Sequence, residues 1–460
     1  RELKQKGKDV ISLSLGEPDF NTPDFIKNSA VKAINDNFSH YTPVPGIPEL
    51  RKSICKKFYR DNNLEFNENQ IVVSTGAKQS IANVCLSLLD KGDEVILLAP
   101  YWVSYFEIVK LCGAKPIVVE SKIENNFKSS VEEIEKKISN KTKLLIFSSP
   151  CNPSGSVFSK KELLLMADTL KKYDNLFVIS DEIYEHINFT NEHYSFGLID
   201  SMKDRTITVN GVSKGFAMTG WRVGYIGAPE FIASACNKIQ GQITSATCSI
   251  AQKATQAAVL SKPKDSTNYM KIEFKKRRDL IVNQLSQIEG IKCNVPDGAF
   301  YVFPDISYFF NKKDENNSII KNSNDLSMYL LNDAHVATVA GAAFGISGQA
   351  QAACGEFQMS DMNWPSATLM ANVDKIILEE GYGCKIELIP GATTATFATM
   401  NEKGEPHVAA ELWTNAVSVE LEKAMGEGRL HSAVRGPITE LGEGWWVTPG
   451  TLKRHPEFKT

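Results

Sequence analysis

Lys214 and Arg222 stand close together in residues 210–225, NGVSKGFAMTGWRVGY, among small and apolar neighbours. A lysine in such a setting is either a snorkelling surface residue or an amine kept partly desolvated for condensation with a carbonyl. The residues upstream weigh toward the second. Residues 180–184, SDEIY, end an apolar run with Asp181, a carboxylate that needs a partner if buried, and Tyr184 follows one turn on. Residues 149–155, SPCNPSG, offer the Asn152 amide, which an Asx turn could also use. In residues 100–105, PYWVSY, Trp102 presents a flat face for stacking on an aromatic ring or for filling a core. Residues 74–79, STGAKQ, form a small-residue turn into a helix. They suit either a plain helix start or a phosphate held by the amides near Gly76 and Ala77, with Lys78 adding charge.

The elements that must position these groups alternate. Short β-rich runs are predicted at 71–74, 94–99, 116–120, 143–148, 176–181, 206–210 and 223–227, with amphipathic helical stretches at 78–89, 131–138 and 160–173 between them. Such alternation predicts an α/β fold with a mostly parallel sheet flanked by helices. In a parallel sheet the loops at the carboxyl ends of the strands gather on one edge, and the polar residues above fall in those loops. Further along, a long charged helix over 269–287, a strand over 299–304 and a helix over 324–332 predict a smaller α+β domain.

Taken in this order, the motifs resemble those of the fold type I, class I/II pyridoxal-phosphate aminotransferases, most closely the aspartate-type subgroup. The shared wording is PYWVSY and GVSK with MTGWR, and the resemblance runs from Val10 to about Gly345. It implies that Lys214 carries the cofactor as an imine and shuttles the substrate proton. Asp181 would pair with the pyridine nitrogen, and Tyr184 and Asn152 would hydrogen-bond the ring oxygen. Arg222, Lys78 and the Gly76 and Ala77 amides would hold the phosphate, with Trp102 stacked on the ring. Tyr41 would reach the phosphate of a partner subunit, implying a homodimer, and Gly16 would line the site of the substrate carboxylate. Gly211 stands where many relatives have a phosphate-binding serine. The arginine expected after Gly345 to clamp the substrate α-carboxylate is absent; the next is Arg429. Impaired transamination is therefore expected.

Beyond residue 345 the chain changes character. Residues 1–345 hold 42 Lys and Arg against 39 Asp and Glu, whereas residues 346–460 hold 9 against 15. Residues 336–346 with Ala350-Gln-Ala352 read like a signal-peptide core and cleavage site, without a basic segment before them. The phrases SDMNWPSATLMANVDKIILEEGYGC, ELIPGATTATFATM and AELWTNAVSVEL resemble the amino-terminal lobe of periplasmic binding proteins for glycine betaine or choline. That resemblance implies Trp364 and Trp413, with Trp445 or Trp446, as cage walls for a quaternary ammonium; Cys354 and Cys384 would suit a disulfide in a periplasmic protein, but their spacing leaves the pairing open. Core packing is the other reading of each tryptophan.

The expected organisation is an arm with part of the small domain at 1–44, a cofactor-binding domain at 45–268, a truncated small domain at 269–345, a junction at 346–353 and a partial binding-protein lobe at 354–460. The two parts look like pieces of different parents joined within 336–345, cytoplasmic for residues 1–345 and periplasmic in type beyond. The chain opens on Arg1 rather than a methionine, so a start further upstream is expected. A net charge of −3 gives no basic surplus for nucleic acid, no apolar run is long enough for a membrane span, and no metal-ligand spacing is present. The leading function is transfer of an amino group between an amino acid and a 2-oxo acid. A lyase or synthase on the same cofactor, and a quaternary-amine-binding component of a transporter, are the alternatives.

Overall fold

A computed structural model describes residues 2–190, 192–262, 266–345, 356–382, 385–409, 418–427, 430–432 and 446–447. The chain forms two compact units, residues 1–349 and 350–460. In the first unit a short strand β1 (Ile11–Ser12) precedes helices α1 (Asp24–Asn35) and α2 (Pro48–Asn62). The main sheet comprises β2 (Ile71–Ser74), β3 (Glu94–Leu98), β4 (Lys115–Val119), β5 (Thr142–Ser148), β6 (Phe177–Asp181), β7 (Thr206–Gly211) and β8 (Gly224–Gly227). Its order is β2-β8-β7-β6-β5-β3-β4. The pairs from β4 through β7 are parallel, and β8 alone runs antiparallel, to both β7 and β2.

The sheet is covered on both faces because its strands are apolar at nearly every position and side chains alternate between faces. Val95, Leu97, Leu144 and Ile146 face one core with Ile81 and Val84 of α3 (Ala77–Leu88), Val109 of α4 (Ser104–Leu111) and Ile232. Their neighbours Ile96, Leu98, Leu145 and Phe147 face another, with Ile134 of α5 (Val131–Glu135) and Leu163, Met166 and Leu170 of α6 (Lys160–Leu170). Two of these helices start where the sequence supplies a capping box: Ser130 with Glu133, and Ser159 with Glu162. A third core joins Ile54 and Phe58 of α2 to Tyr225 and to α8 (Ser249–Leu260), which comes after α7 (Glu230–Ile243).

The long charged helix is present as α9 (Asn268–Leu285), and α10 (Ser323–Asn332) comes after it. The strand expected at 299–304 does not form. No neighbouring strand offers it a ladder, and the backbone bonds to loops instead: Ala299 N–H donates to Ile187 O at 2.7 Å, and Gly298 N–H to Gly155 O at 2.9 Å. A short strand β9 (Val336–Ala337) pairs in parallel with β1, and a 3₁₀ turn, Gly341–Phe344, comes next.

In the second unit β10 (Glu356–Met362) pairs in parallel with β11 (Lys385–Gly391) and β12 (Val408–Ala409). Strands β13 (His431–Ser432) and β14 (Trp446–Val447) complete the order β11-β10-β12-β14-β13. Helices α11 (Pro365–Tyr382), α12 (Thr393–Lys403) and α13 (Ser418–Gly426) accompany the sheet over a core of Met362, Phe397, Met400 and Leu421. No described helix is long and apolar enough to cross a membrane. The signal-peptide-like junction at 346–353, Cys354, Cys384, Trp413, Arg429 and Trp445 lie outside the described residues.

Candidate active site

Parallel strands place their carboxyl ends together, and this brings the expected residues to one cleft of about 2200 Å³ in the first unit. Gly16, Ala77, Lys78, Trp102, Asn152, Asp181, Tyr184, Lys214 and Arg222 all line it. Tyr41 does not, and is 99% exposed. Gly76 lies just beneath: its φ of +87° suits glycine, and a side chain there would strike the Arg222 guanidinium. Since α3 begins at Ala77, its first amides have no acceptor within the helix and lie beside that guanidinium. Arg222 itself adopts φ 56°, an uncommon conformation for any residue but glycine, and donates to Thr219 O at 2.8 Å.

Asp181, the last residue of β6, is buried. One carboxylate oxygen accepts the Tyr105 hydroxyl at 2.5 Å, and the other accepts Ile183 N–H at 3.2 Å. Burial lifts its pKa to about 6 against these two bonds. Lys214 Nζ donates to Gly16 O at 2.5 Å and lies 5.8 Å from the centroids of both the Tyr184 and Phe300 rings. Burial pulls its ammonium pKa down to about 8; Glu17 opposes that, and Arg222 adds to it. The Tyr184 hydroxyl shares a 2.5 Å hydrogen bond with Tyr301 and lies 3.5 Å from the Asn152 amide, the outer limit of bonding. Lys78 sits over Trp102, 4.8 Å from its centroid.

Three groups at the site carried little signal in the sequence. Tyr105, the partner of Asp181, stands in the same PYWVSY phrase as Trp102, and its one signal is the helical spacing between the two. Tyr301 lies in the segment expected as a strand, and Phe300 beside it carries no separate signal.

A group such as pyridoxal phosphate fits the donors present. A desolvated amine, a buried acid, an aromatic face and an anion cradle of helix amides with a guanidinium surround one space. Residues 8–362 match the family described as aminotransferase class I and II. The chain belongs to this family.

This aminotransferase is 46% identical over 349 residues to a probable aspartate/prephenate aminotransferase of Rickettsia felis, covering 75% of this chain and 85% of the relative. It is 43% identical to the aspartate/prephenate aminotransferase of Cereibacter sphaeroides, with 75% and 87% covered. The crystal structure of the aspartate aminotransferase from Rhizobium meliloti superposes with a TM-score of 0.73 at 40% identity, over 75% of this chain and 87% of that one. The enzyme is thus a pyridoxal-phosphate-dependent aminotransferase working between amino acids and 2-oxo acids. Residues 356–460 match the substrate-binding domain of ABC-type glycine betaine transport systems, and overlap the first match at residues 356–362.

The electrostatics lead to two measurements. Acylation of Lys214 in the cofactor-free protein, read by peptide mass spectrometry, should rise with pH through a midpoint near 8, because only the neutral amine reacts. Asp181 has a folded-state pKa raised from 3.8 to about 6, so the folded protein keeps a proton that the unfolded chain has lost, and stability drains away as pH rises through that window. Asp181→Asn should remove this loss. Urea unfolding of the cofactor-free proteins should show the variant gaining on the parent between pH 4 and pH 6, by on the order of 3 kcal/mol.

Proposed function

We propose that Lys214 is the amine that holds pyridoxal phosphate, with Asp181 and Tyr184 as its working partners. The observation that carries this reading is a half-buried lysine with a depressed pKa that lines the cleft, near a buried carboxyl group and a tyrosine ring. When bound, the cofactor supplies an electron-poor ring that accepts the electron pair of the bond broken at the substrate α-carbon. Asp181 would hold a proton on the ring nitrogen, so that the carboxylate's burial cost is offset by a cation. Lys214, once released by substrate, would move the proton at the α-carbon. Tyr184 and Asn152 would donate to the ring oxygen, and Trp102 would cover the ring. Arg222, Lys78 and the amides at Gly76 and Ala77 would bind the phosphate, while Gly16 would line the carboxylate end.

The working form would be a homodimer in the cytoplasm. Supporting this, Tyr41 protrudes fully from its own subunit, where it could reach the cofactor phosphate of a second copy, and Phe25, Val31 and Ile34 of α1 are exposed nearby in sequence. The seven described cysteines are all free. For the second unit we propose a quaternary-ammonium ligand such as glycine betaine or choline, held on the faces of Trp364 and Trp413. The family match and the half-open Trp364 support it, although Trp364 also packs on the core of that unit. Calorimetry with both ligands tests it.

Borohydride reduction of the protein–pyridoxal phosphate complex, with peptide mapping, should place the label on Lys214; a label on any other lysine overturns the assignment. The chain should also transaminate poorly. Of the arginines lining its cleft, Arg222 is assigned to the phosphate, and Arg277 and Arg278 are paired with Asp19 and Asp279. The space is far larger than the few hundred to about 1,000 Å³ usual for a small-molecule site. A missing bidentate arginine forfeits two charge-assisted bonds, about 3–6 kcal/mol or ~10²–10⁴ in kcat/KM. Joining residues 1–345 to the carboxyl end of a relative should restore that factor, and equal kcat/KM for the two chains would show that another group holds the carboxylate.

A further inference from the structure

Behind the cleft floor lies a second polar cluster that the proposed chemistry does not use. Lys57 of α2 is only 2% exposed. Its Nζ is in contact with Glu185 Oε1, donates to Asn62 Oδ1 at 2.6 Å, and stands 3.9 Å from Asp61. The Asn62 amide in turn donates to Glu185 Oε2 at 2.6 Å and to the Ser195 hydroxyl at 3.1 Å. Glu182 accepts from the Ser195 hydroxyl at 2.6 Å and from Ser180 at 3.0 Å, and pairs with His193 at 2.8 Å. His186 lies 3.3 Å from Glu185. Carboxylates and histidines this close could hold a metal ion: Asp61, Glu185 and His186 in one grouping, and Glu182, Glu185 and His193 in another. Lys57 Nζ stands against Glu185, the carboxylate that both groupings share, and 3.9 Å from Asp61 of the first, so the cluster holds a buried ion pair.

Its place in the chain is what matters. Glu182 directly follows Asp181, and Glu185 directly follows Tyr184. His186 closes the segment and packs edge-on against Phe216, 5.6 Å between centroids. It lies so close to Gly215 that a side-chain carbon there would sit 2.7 Å from its ring. Gly215 is the residue after Lys214. One buried network therefore grips, from behind, the immediate neighbours of all three residues that the proposed function assigns to chemistry. Burial alone would raise the Glu185 pKa, but Lys57, His186 and His193 outweigh it and hold the group ionised. An ionised pair buried this deeply makes a poor stabilising element compared with apolar packing, but it fixes geometry, since leaving its place costs the full desolvation of both charges.

We propose that Lys57, Glu185 and His186 are positioning residues for the cofactor site: the buried ion pair fixes the Asp181–Tyr184 turn to α2, and His186 fixes that turn to the backbone beside Lys214. This rests on the assignment of Lys214, Asp181 and Tyr184 above. A purely structural cluster would behave differently from a positioning one when both charges are removed together. Lys57→Met strands Glu185 as a buried unpaired charge and should lower the thermal midpoint of the cofactor-free protein. Lys57→Met/Glu185→Met leaves no stranded charge and should recover that midpoint.

The decisive readout is the pH midpoint of the absorbance change of the protein–pyridoxal phosphate complex, which reports how well Tyr184 and its neighbours favour the charged form of the cofactor's oxygen. In the double variant, folded and stable, that midpoint should stay at least about half a unit above the parent's, because the Tyr184 donor is no longer held in place. If the midpoint returns to the parent value along with stability, the cluster is only structural and the proposal falls. If Lys57→Met does not fold, the double variant alone gives the same decision. A parent protein with no pH-dependent band would instead overturn the Lys214 assignment, so the two failures are distinguishable.

Discussion

Burying ionisable groups at the carboxyl edge of a parallel sheet is costly, and most of the first unit is arranged around that cost. Asp181 sits with its carboxyl group out of water and takes two hydrogen bonds, from Tyr105 and the Ile183 amide, which are not enough to return its pKa to the ordinary range. Lys214 is made a weaker base for the same reason. Both groups are held away from their ordinary pKa values, and the sheet supplies the rigidity to hold them there. β6 and β7 are paired to neighbours on both sides and packed against apolar layers, so the loops that leave them start from fixed points.

The sheet faces two ways around this point. Toward the cleft stand groups that line its space: an amine, a carboxyl group, hydroxyls and a guanidinium beside a helix start. Behind the same turn stands a closed network, in which Lys57, Glu185, Asn62, Glu182 and His193 satisfy one another. The contrast is one of partners rather than of residue type.

The edge of the fold near Gly345 shows the opposite situation. The cleft runs on past the cofactor groups to apolar residues of α9 and α10, among them Ile281, Leu285, Leu326 and Leu330. These line open space, where a small domain would ordinarily have a core. This chain covers 85% of the Rickettsia felis relative, and residues 356–460 match a different family. The residues proposed for the cofactor all precede residue 230, well before the change of unit.

The sequence by itself determined the strands of the main sheet, each within a residue or two, and with them the edge on which the site lies. Strand period and apolar run length are local properties, and seven such runs with helices between them leave little freedom of topology. The motif phrases named the residues facing the cleft for the same reason: each sits near a strand end that its own neighbours define. No strand forms at residues 299–304 because a strand exists only if another lies beside it, which no local pattern records. Tyr105 as the partner of Asp181, Tyr301 against Tyr184, and the Lys57–Glu185 pair behind them were decided by the tertiary structure alone. Hydrogen bonds and ion pairs between residues far apart in the chain depend on distances that folding sets, and the sequence around Lys57 looks like the wet face of an ordinary helix.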